Sequence, residues 1–166
     1  MKEFFVVNQV KQDDLNLGTL TLNFSQREKS RLKASLDSGE EVGLFLPRGT
    51  VLREGDVLSN QQGESVVVKA ALESVSTITA PDTHLLLRIA YHLGNRHVPL
   101  QVEPEWLRYV HDHVLDDMVR QLGGTVTSEM ASFQPESGAY GGGHHHGGHE
   151  HSHAHSHSHD HHHHHH

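Results

Sequence analysis

The sequence predicts an α+β protein in three parts. A small all-β domain covers residues 1–72, a ferredoxin-like βαββαβ domain residues 73–134, and a disordered His-rich tail residues 135–166. Three observations predict it. Before Glu73 the apolar residues alternate, or cluster in short runs between Gly, Asp and Pro turns, which is strand chemistry. After Glu73, two stretches repeat their apolar residues at helical spacing, with strand-like segments around them. Finally, 15 of the 20 His lie between His144 and His166, a stretch with nothing to bury.

Phe4 to Val10 and Thr19 to Phe24 are rich in β-branched and aromatic residues and read as two strands. Ser25 with Glu28 three residues on has the form of a capping box, but the charged stretch to Lys33 lacks an apolar period, so a single helical turn is expected. Arg31 to Leu36 and Glu41 to Leu46 flank Asp37-Ser38-Gly39-Glu40 and form a hairpin. Pro47-Arg48-Gly49 ends it, and Val51 to Leu58 and Ser65 to Leu72 follow as strands around the Gly55-Asp56 and Gln62-Gly63 turns. Val75 to Thr79 is the next strand. Pro81 and Asp82 then open a helix whose stripe is Leu85, Leu86, Ile89, Ala90 and Leu93, with Gly94 as the stop. Val98 to Val102 and Trp106 to Val110 are short strands. Val114, Leu115, Met118, Val119 and Leu122 make a second amphipathic helix ended by Gly123-Gly124, and Thr125 to Phe133 is the last strand.

The net charge is -8 with His neutral, and no Lys/Arg cluster offers a footprint for phosphate backbones, so a nucleic acid partner is not expected. No apolar run approaches the roughly 18 residues of a membrane span, and the N-terminus has no signal-like apolar region. A soluble, cytoplasmic protein is the expectation. With no Cys there is no disulfide, no thiolate metal site and no thiol nucleophile, so metal chemistry falls to imidazole, carboxylate and water. His-Glu-x-x-His, Gly-x-Ser-x-Gly and phosphate-cradling Gly loops are all missing from the sequence, which argues against an enzyme.

The tail carries the strongest chemical signal. His144, His145, His146, His149, His151, His153, His155, His157 and His159 are interleaved with Gly, Ser and acidic residues, a pattern suited to nickel, zinc or copper, which neutral imidazole binds well. His161 to His166 also reads as an affinity tag, but a tag has no need of the other nine. His111-Asp112-His113 is a second candidate. In a strand, positions i and i+2 point to one side and both imidazoles can meet one ion; in a helix they do not, and two surface His at a helix start is the plain alternative. His97 ends Gly94-Asn95-Arg96-His97. It is by itself a turn residue, and becomes a metal ligand if a two-fold axis brings a second copy to it. His84 and His92 read as solvated face residues.

Four blocks of the chain resemble the UreE family of urease accessory metallochaperones. They are Gly43-Leu44-Phe45-Leu46-Pro47-Arg48-Gly49 with Leu52, Gly55-Asp56 and Leu58; Tyr91-His92-Leu93-Gly94-Asn95-Arg96-His97 with Pro99 and Gln101; His111-Asp112-His113-Val114-Leu115-Asp116-Asp117-Met118; and Pro135-Glu136-Ser137-Gly138-Ala139-Tyr140 ahead of the His run. The resemblance implies a homodimeric nickel carrier that supplies Ni(II) to the dinickel site of urease. It implies a peptide-binding-like N-terminal domain and a ferredoxin-like domain that carries metal and dimer contact. By motif, His97 is implied as the interface ligand, His111 and His113 as additional ligands, and the tail as a nickel reservoir. The implied partners are the GTP-binding urease accessory protein UreG and, through it, the apo-urease assembly complex. Passive storage of nickel or zinc is the other reading the His content allows.

Acid should release metal from such ligands, because protons compete for imidazole nitrogen. Nickel retained in equilibrium dialysis should fall as the buffer passes through pH ~6.5, the ordinary imidazole range. Retention unchanged well below that pH would exclude histidine as the donor.

Overall fold

A computed structural model describes residues 1–6 and 18–138. The first half contains β1 (Lys2–Val6), β2 (Thr19–Leu22), a single helical turn α1 (Phe24–Arg27), β3 (Arg31–Ser35), β4 (Glu41–Phe45), β5 (Val57–Ser59) and β6 (Ser65–Ala70). They build one six-stranded sheet in the order β2-β6-β5-β1-β4-β3. β1 joins its two parts: Lys2 to Phe4 run parallel to β4, whereas Phe5 and Val6 pair antiparallel with β5. At one end the outermost strands meet. The Asp37 N–H donates to the Thr19 carbonyl at 3.0 Å, and the Thr19 and Thr21 hydroxyls donate to the Asp37 carboxylate. Alternation along these strands turns Phe4, Leu20, Leu22, Val42, Leu44, Leu58, Val66 and Val68 into one core, with Leu52 added from a loop.

The second half runs β7 (Leu72–Thr79), α2 (Thr83–Asn95), β8 (Gln101–Val102), β9 (Leu107–Val110), α3 (His113–Leu122) and β10 (Thr125–Ser132). Its sheet has the order β10-β7-β9-β8, and every pair is antiparallel. That is the split βαββαβ arrangement. Both helices bury their apolar stripes on it: Leu86, Ile89 and Leu93 of α2 and Leu115 and Val119 of α3 pack with Ile78, Leu107 and Tyr109. Asp82 caps α2 by accepting from the Leu85 N–H at 2.8 Å. Gly123, at φ 104, ends α3 in the left-handed conformation. A Cβ on Gly124 would lie 2.7 Å from Val119 Cγ1 and 2.8 Å from Ile89 Cδ1, so only glycine lets β10 start this close to the helices.

Several expectations need correction. β1 begins at Lys2, and residues 7–17 lie outside the described residues. The capping box belongs to Asn23 and Gln26, not to Ser25 and Glu28: Asn23 Oδ1 accepts from the Gln26 N–H and Gln26 Oε1 from the Asn23 N–H. Only Val57 to Ser59 of the expected Val51 to Leu58 strand is extended in a ladder. Upstream, the Leu52 N–H donates to the Arg27 carbonyl at 2.9 Å and the Arg53 N–H to the Asp56 carboxylate at 2.8 Å, which folds the segment into a turn. Gly94 does not stop α2, which runs one residue further; Arg96 is the C-cap and His97 takes a left-handed backbone at φ 57. β8 is reduced to two residues, because Pro99 has no N–H to give a ladder.

The halves are joined around Arg27, which is fully buried. Its Nε donates to the Leu22 carbonyl at 3.3 Å and its Nη1 to the Leu52 carbonyl at 3.2 Å, while Nη2 donates to the Phe133 carbonyl beyond β10. Glu73 at the start of β7 lies 3.9 Å from Nη2 and accepts from the Phe24 N–H at 2.9 Å. Burial pulls the Arg27 pKa below its ordinary value and Glu73 opposes that shift. The Phe24 and Phe133 rings meet edge to face at 5.5 Å. Among the described residues no buried side-chain nitrogen or oxygen lacks a hydrogen-bond partner, and no helix is long and apolar enough to cross a membrane. Arg27→Met should cost about 3–5 kcal/mol in urea denaturation, because buried carbonyls and the Glu73 carboxylate lose their donor. A loss below about 0.5 kcal/mol, the size of an ordinary surface change, would show that the joint is not built on this residue.

Candidate metal centre

The junction of β9 and α3 is a place where backbone demands and side-chain chemistry coincide. The His111 N–H donates to the Ser74 carbonyl at 3.1 Å, which carries the β7–β9 pairing one residue past Val110. Asp112 is extended, at φ -150 and ψ 115, and caps α3: its Oδ1 accepts from the Val114 N–H at 2.9 Å and the Leu115 N–H at 3.2 Å. His113 is the first helical residue. The two histidines therefore flank one extended residue, with His111 just past the strand and His113 in the helix, and both are exposed.

Beneath His111 lies a polar cluster that the sequence reading did not single out. Asp116, in the first turn of α3, is 2% exposed, and Ser76 of β7 is fully buried. The Tyr109 hydroxyl donates to Asp116 Oδ1 at 2.5 Å. His111 Nδ1 lies 3.3 Å from Asp116 Oδ2 and 3.2 Å from Ser76 Oγ. Register makes the cluster possible, since Ser76 pairs with Tyr109 across β7 and β9 and one helical turn brings Asp116 back over them. The position of Asp116 near a helix N-terminus also favours its negative charge. Burial raises the Tyr109 pKa, and the Asp116 hydrogen bond and charge raise it further. A carboxylate on the inward side of an amphipathic helix was the available sequence signal.

His97 stands apart from this cluster, after the C-cap of α2. It is exposed, its N–H donates to the Gly94 carbonyl at 3.0 Å, and it is the one non-glycine with positive φ among the described residues. On the same helix Leu87 and Tyr91, one turn apart, are 63% and 67% exposed. His84 is exposed and His92 is half-buried, with its ring 5.5 Å from that of Tyr91. Among the described residues no group of three or more His, Cys, Asp or Glu side chains is arranged to hold a metal ion. His144, His145, His146, His149, His151, His153, His155, His157 and His159 lie outside the described residues.

Comparison with known proteins gives family matches to both halves. The model described as the UreE urease accessory protein, N-terminal domain, matches residues 6–71, and its C-terminal counterpart matches residues 73–166. A urease accessory protein UreE from Proteus mirabilis is 60% identical over 124 residues, covering 75% of this chain and 77% of the relative. One from Vibrio parahaemolyticus is 54% identical over 152 residues, covering 85% of this chain and 96% of the relative. A third, from Alcanivorax borkumensis, is 59% identical over 141 residues, covering 81% and 80%.

Because the folded-state pKa of Tyr109 lies above the unfolded value, the protonated phenol contributes stability that is fully present below pH 10.0 and lost as the pH rises beyond it. Urea stability of the intact protein should therefore fall above that pH by up to about 1.4 kcal/mol per pH unit from this group. Tyr109→Phe should remove that share of the slope, at a cost near neutral pH of about 1–3 kcal/mol for the unpartnered Asp116 oxygen. An alkaline slope unchanged by the substitution would refute the burial argument.

Proposed function

The chain belongs to the UreE family of urease accessory proteins, and from that premise we propose that it is a nickel metallochaperone. Membership makes it an accessory protein of urease maturation and not an enzyme. In this reading the chain binds Ni(II) through histidines and delivers it to the apo-urease assembly complex for the dinickel site. It works as a cytoplasmic homodimer, with the GTP-binding urease accessory protein UreG as the docking partner.

The observation that carries the reading is His97. A non-glycine residue held at positive φ is backbone strain of order 1 kcal/mol, which persists where the surroundings impose it and clusters at functional positions. Here the strain sets an exposed imidazole off the end of α2, on the helix whose Leu87 and Tyr91 offer water an apolar stripe. A two-fold axis at the His97 end of that stripe is what would bring one His97 from each copy together. His111 and His113 act as additional ligands, and the histidines from His144 to His159 as a reservoir that raises local nickel concentration. Residues 1–72 serve as the peptide-binding-like domain, residues 73–134 as the metal and dimer domain, and residues 135–166 as the reservoir.

Few ligands at an exposed interface suit a carrier, which must release what it holds, whereas a closed four-ligand cage suits a structural ion. Zinc and copper also suit these donors, and copper outranks nickel in intrinsic affinity, so selectivity falls to metal availability and partner docking.

Nickel calorimetry with parallel mass determination, on the full chain and on a chain ending at Tyr140, tests the reading. The shorter chain should keep about one tight Ni(II) per two chains, as a site on a two-fold axis requires. His97→Ala should abolish transfer to apo-urease, while loss of the tail should mainly lower the number of ions bound. A shorter chain without any tight site would replace delivery by storage in the tail.

A further inference from the structure

Asp112 and Asp116 both lie within reach of the histidine pair in sequence, yet they are committed differently. Asp112 Oδ1 is taken up by the first N–H groups of α3. Asp116 is buried, with Oδ1 on the Tyr109 hydroxyl and Oδ2 facing His111. We infer that Asp116 is a positioning residue for metal capture, accepting the Nδ1–H of His111 and so reserving the Nε2 lone pair for the ion. The inference rests on the reading of His111 as a ligand.

Proton counting supports it. A neutral imidazole has one N–H and one lone pair, and a carboxylate only accepts. If the proton sat on Nε2, the bare Nδ1 would face a buried carboxylate oxygen at 3.3 Å, two lone pairs opposed. Ser76 has a single proton, and its Oγ lies 3.2 Å from Nδ1. With the proton on Nδ1, Asp116 Oδ2 and Ser76 Oγ are both acceptors for it, and the Tyr109 proton satisfies Oδ1. The ring is then held from its buried edge. The contacts to the cluster are made by Nδ1, and the His111 side chain is 44% exposed, which leaves Nε2 as the ring nitrogen for an ion. Outer partners of this kind fix the tautomer and orientation of a metal-binding histidine and typically change affinity 10–100-fold when removed.

The test uses the metal-free full chain with nitrogen-15-labelled histidine at pH ~8, where imidazole is neutral. Long-range proton–nitrogen correlation spectra read which nitrogen of His111 carries the proton. Nickel is then titrated and followed by broadening of the His111 signals, so that binding by the tail does not mask the site. The expected result is a proton on Nδ1. In Asp116→Asn the carboxamide becomes able to donate to Nδ1, so the proton should move to Nε2 and nickel affinity at His111 should fall ~10–100-fold. Ser76→Ala should leave the proton on Nδ1. A wild-type His111 protonated at Nε2 overturns the inference, and that spectrum decides even where Asp116→Asn does not fold. An unchanged tautomer and affinity in Asp116→Asn also overturns it. Nδ1 protonation with His111 silent to nickel overturns it differently, because the hydrogen bond then stands and the ligand reading of His111 is what fails.

Discussion

The Arg27 guanidinium is taken wholly out of water at the seam between the two sheets, and its charge and N–H groups have to be met there. The groups that meet it come from four separate segments: the end of β2, the loop at Leu52, the start of β7 at Glu73 and the residue after β10 at Phe133. A buried charge tolerates little misplacement of its partners, so this one group ties the six-stranded half to the two strands that form the middle and one edge of the other sheet. β7 is also the strand that supplies Ser76 beneath His111 and the carbonyl that receives the His111 N–H. The joint and the candidate centre are thus two loads on one strand.

Beside the start of that same strand, polar side chains divide the work. Asp112 satisfies the N–H groups that open α3, Asp116 faces inward, and the flanking imidazoles stay exposed. A strand-to-helix junction suits this division, because the backbone changes direction within three residues and sends successive side chains to different places. The α2 end makes the complementary arrangement: a helix terminates, and the residue after its cap turns into left-handed space with an imidazole.

Much of the second half was legible because two apolar stripes at helical spacing leave little choice, and the order of strands around them implies the sheet. The hairpin around Asp37 to Gly39 was legible from turn chemistry. Val51 to Leu58 was misread because strand-like composition says nothing of where backbone N–H groups go; those of Leu52 and Gly55 go to Arg27 and Val68. Gly94 looked like a helix stop because glycine usually is one, but here an ordinary helical glycine is followed by a histidine that does the turning. His97, His111 and His113 stood out as residue types. The cluster of Ser76, Tyr109 and Asp116 did not, since it depends on cross-strand register and on which face of α3 is inward.

The left-handed backbone at position 97 sets two demands against one another. Glycine meets φ 57 without a Cβ penalty, while an L residue with a Cβ there generally carries roughly 1–2 kcal/mol. The residue best for folding at that position is therefore the one that has no imidazole. Any enrichment of variants for heat resistance alone would drift toward glycine at 97 and yield a sturdier chain stripped of an exposed donor, so durability and metal traffic are optimised by different residues at one backbone position.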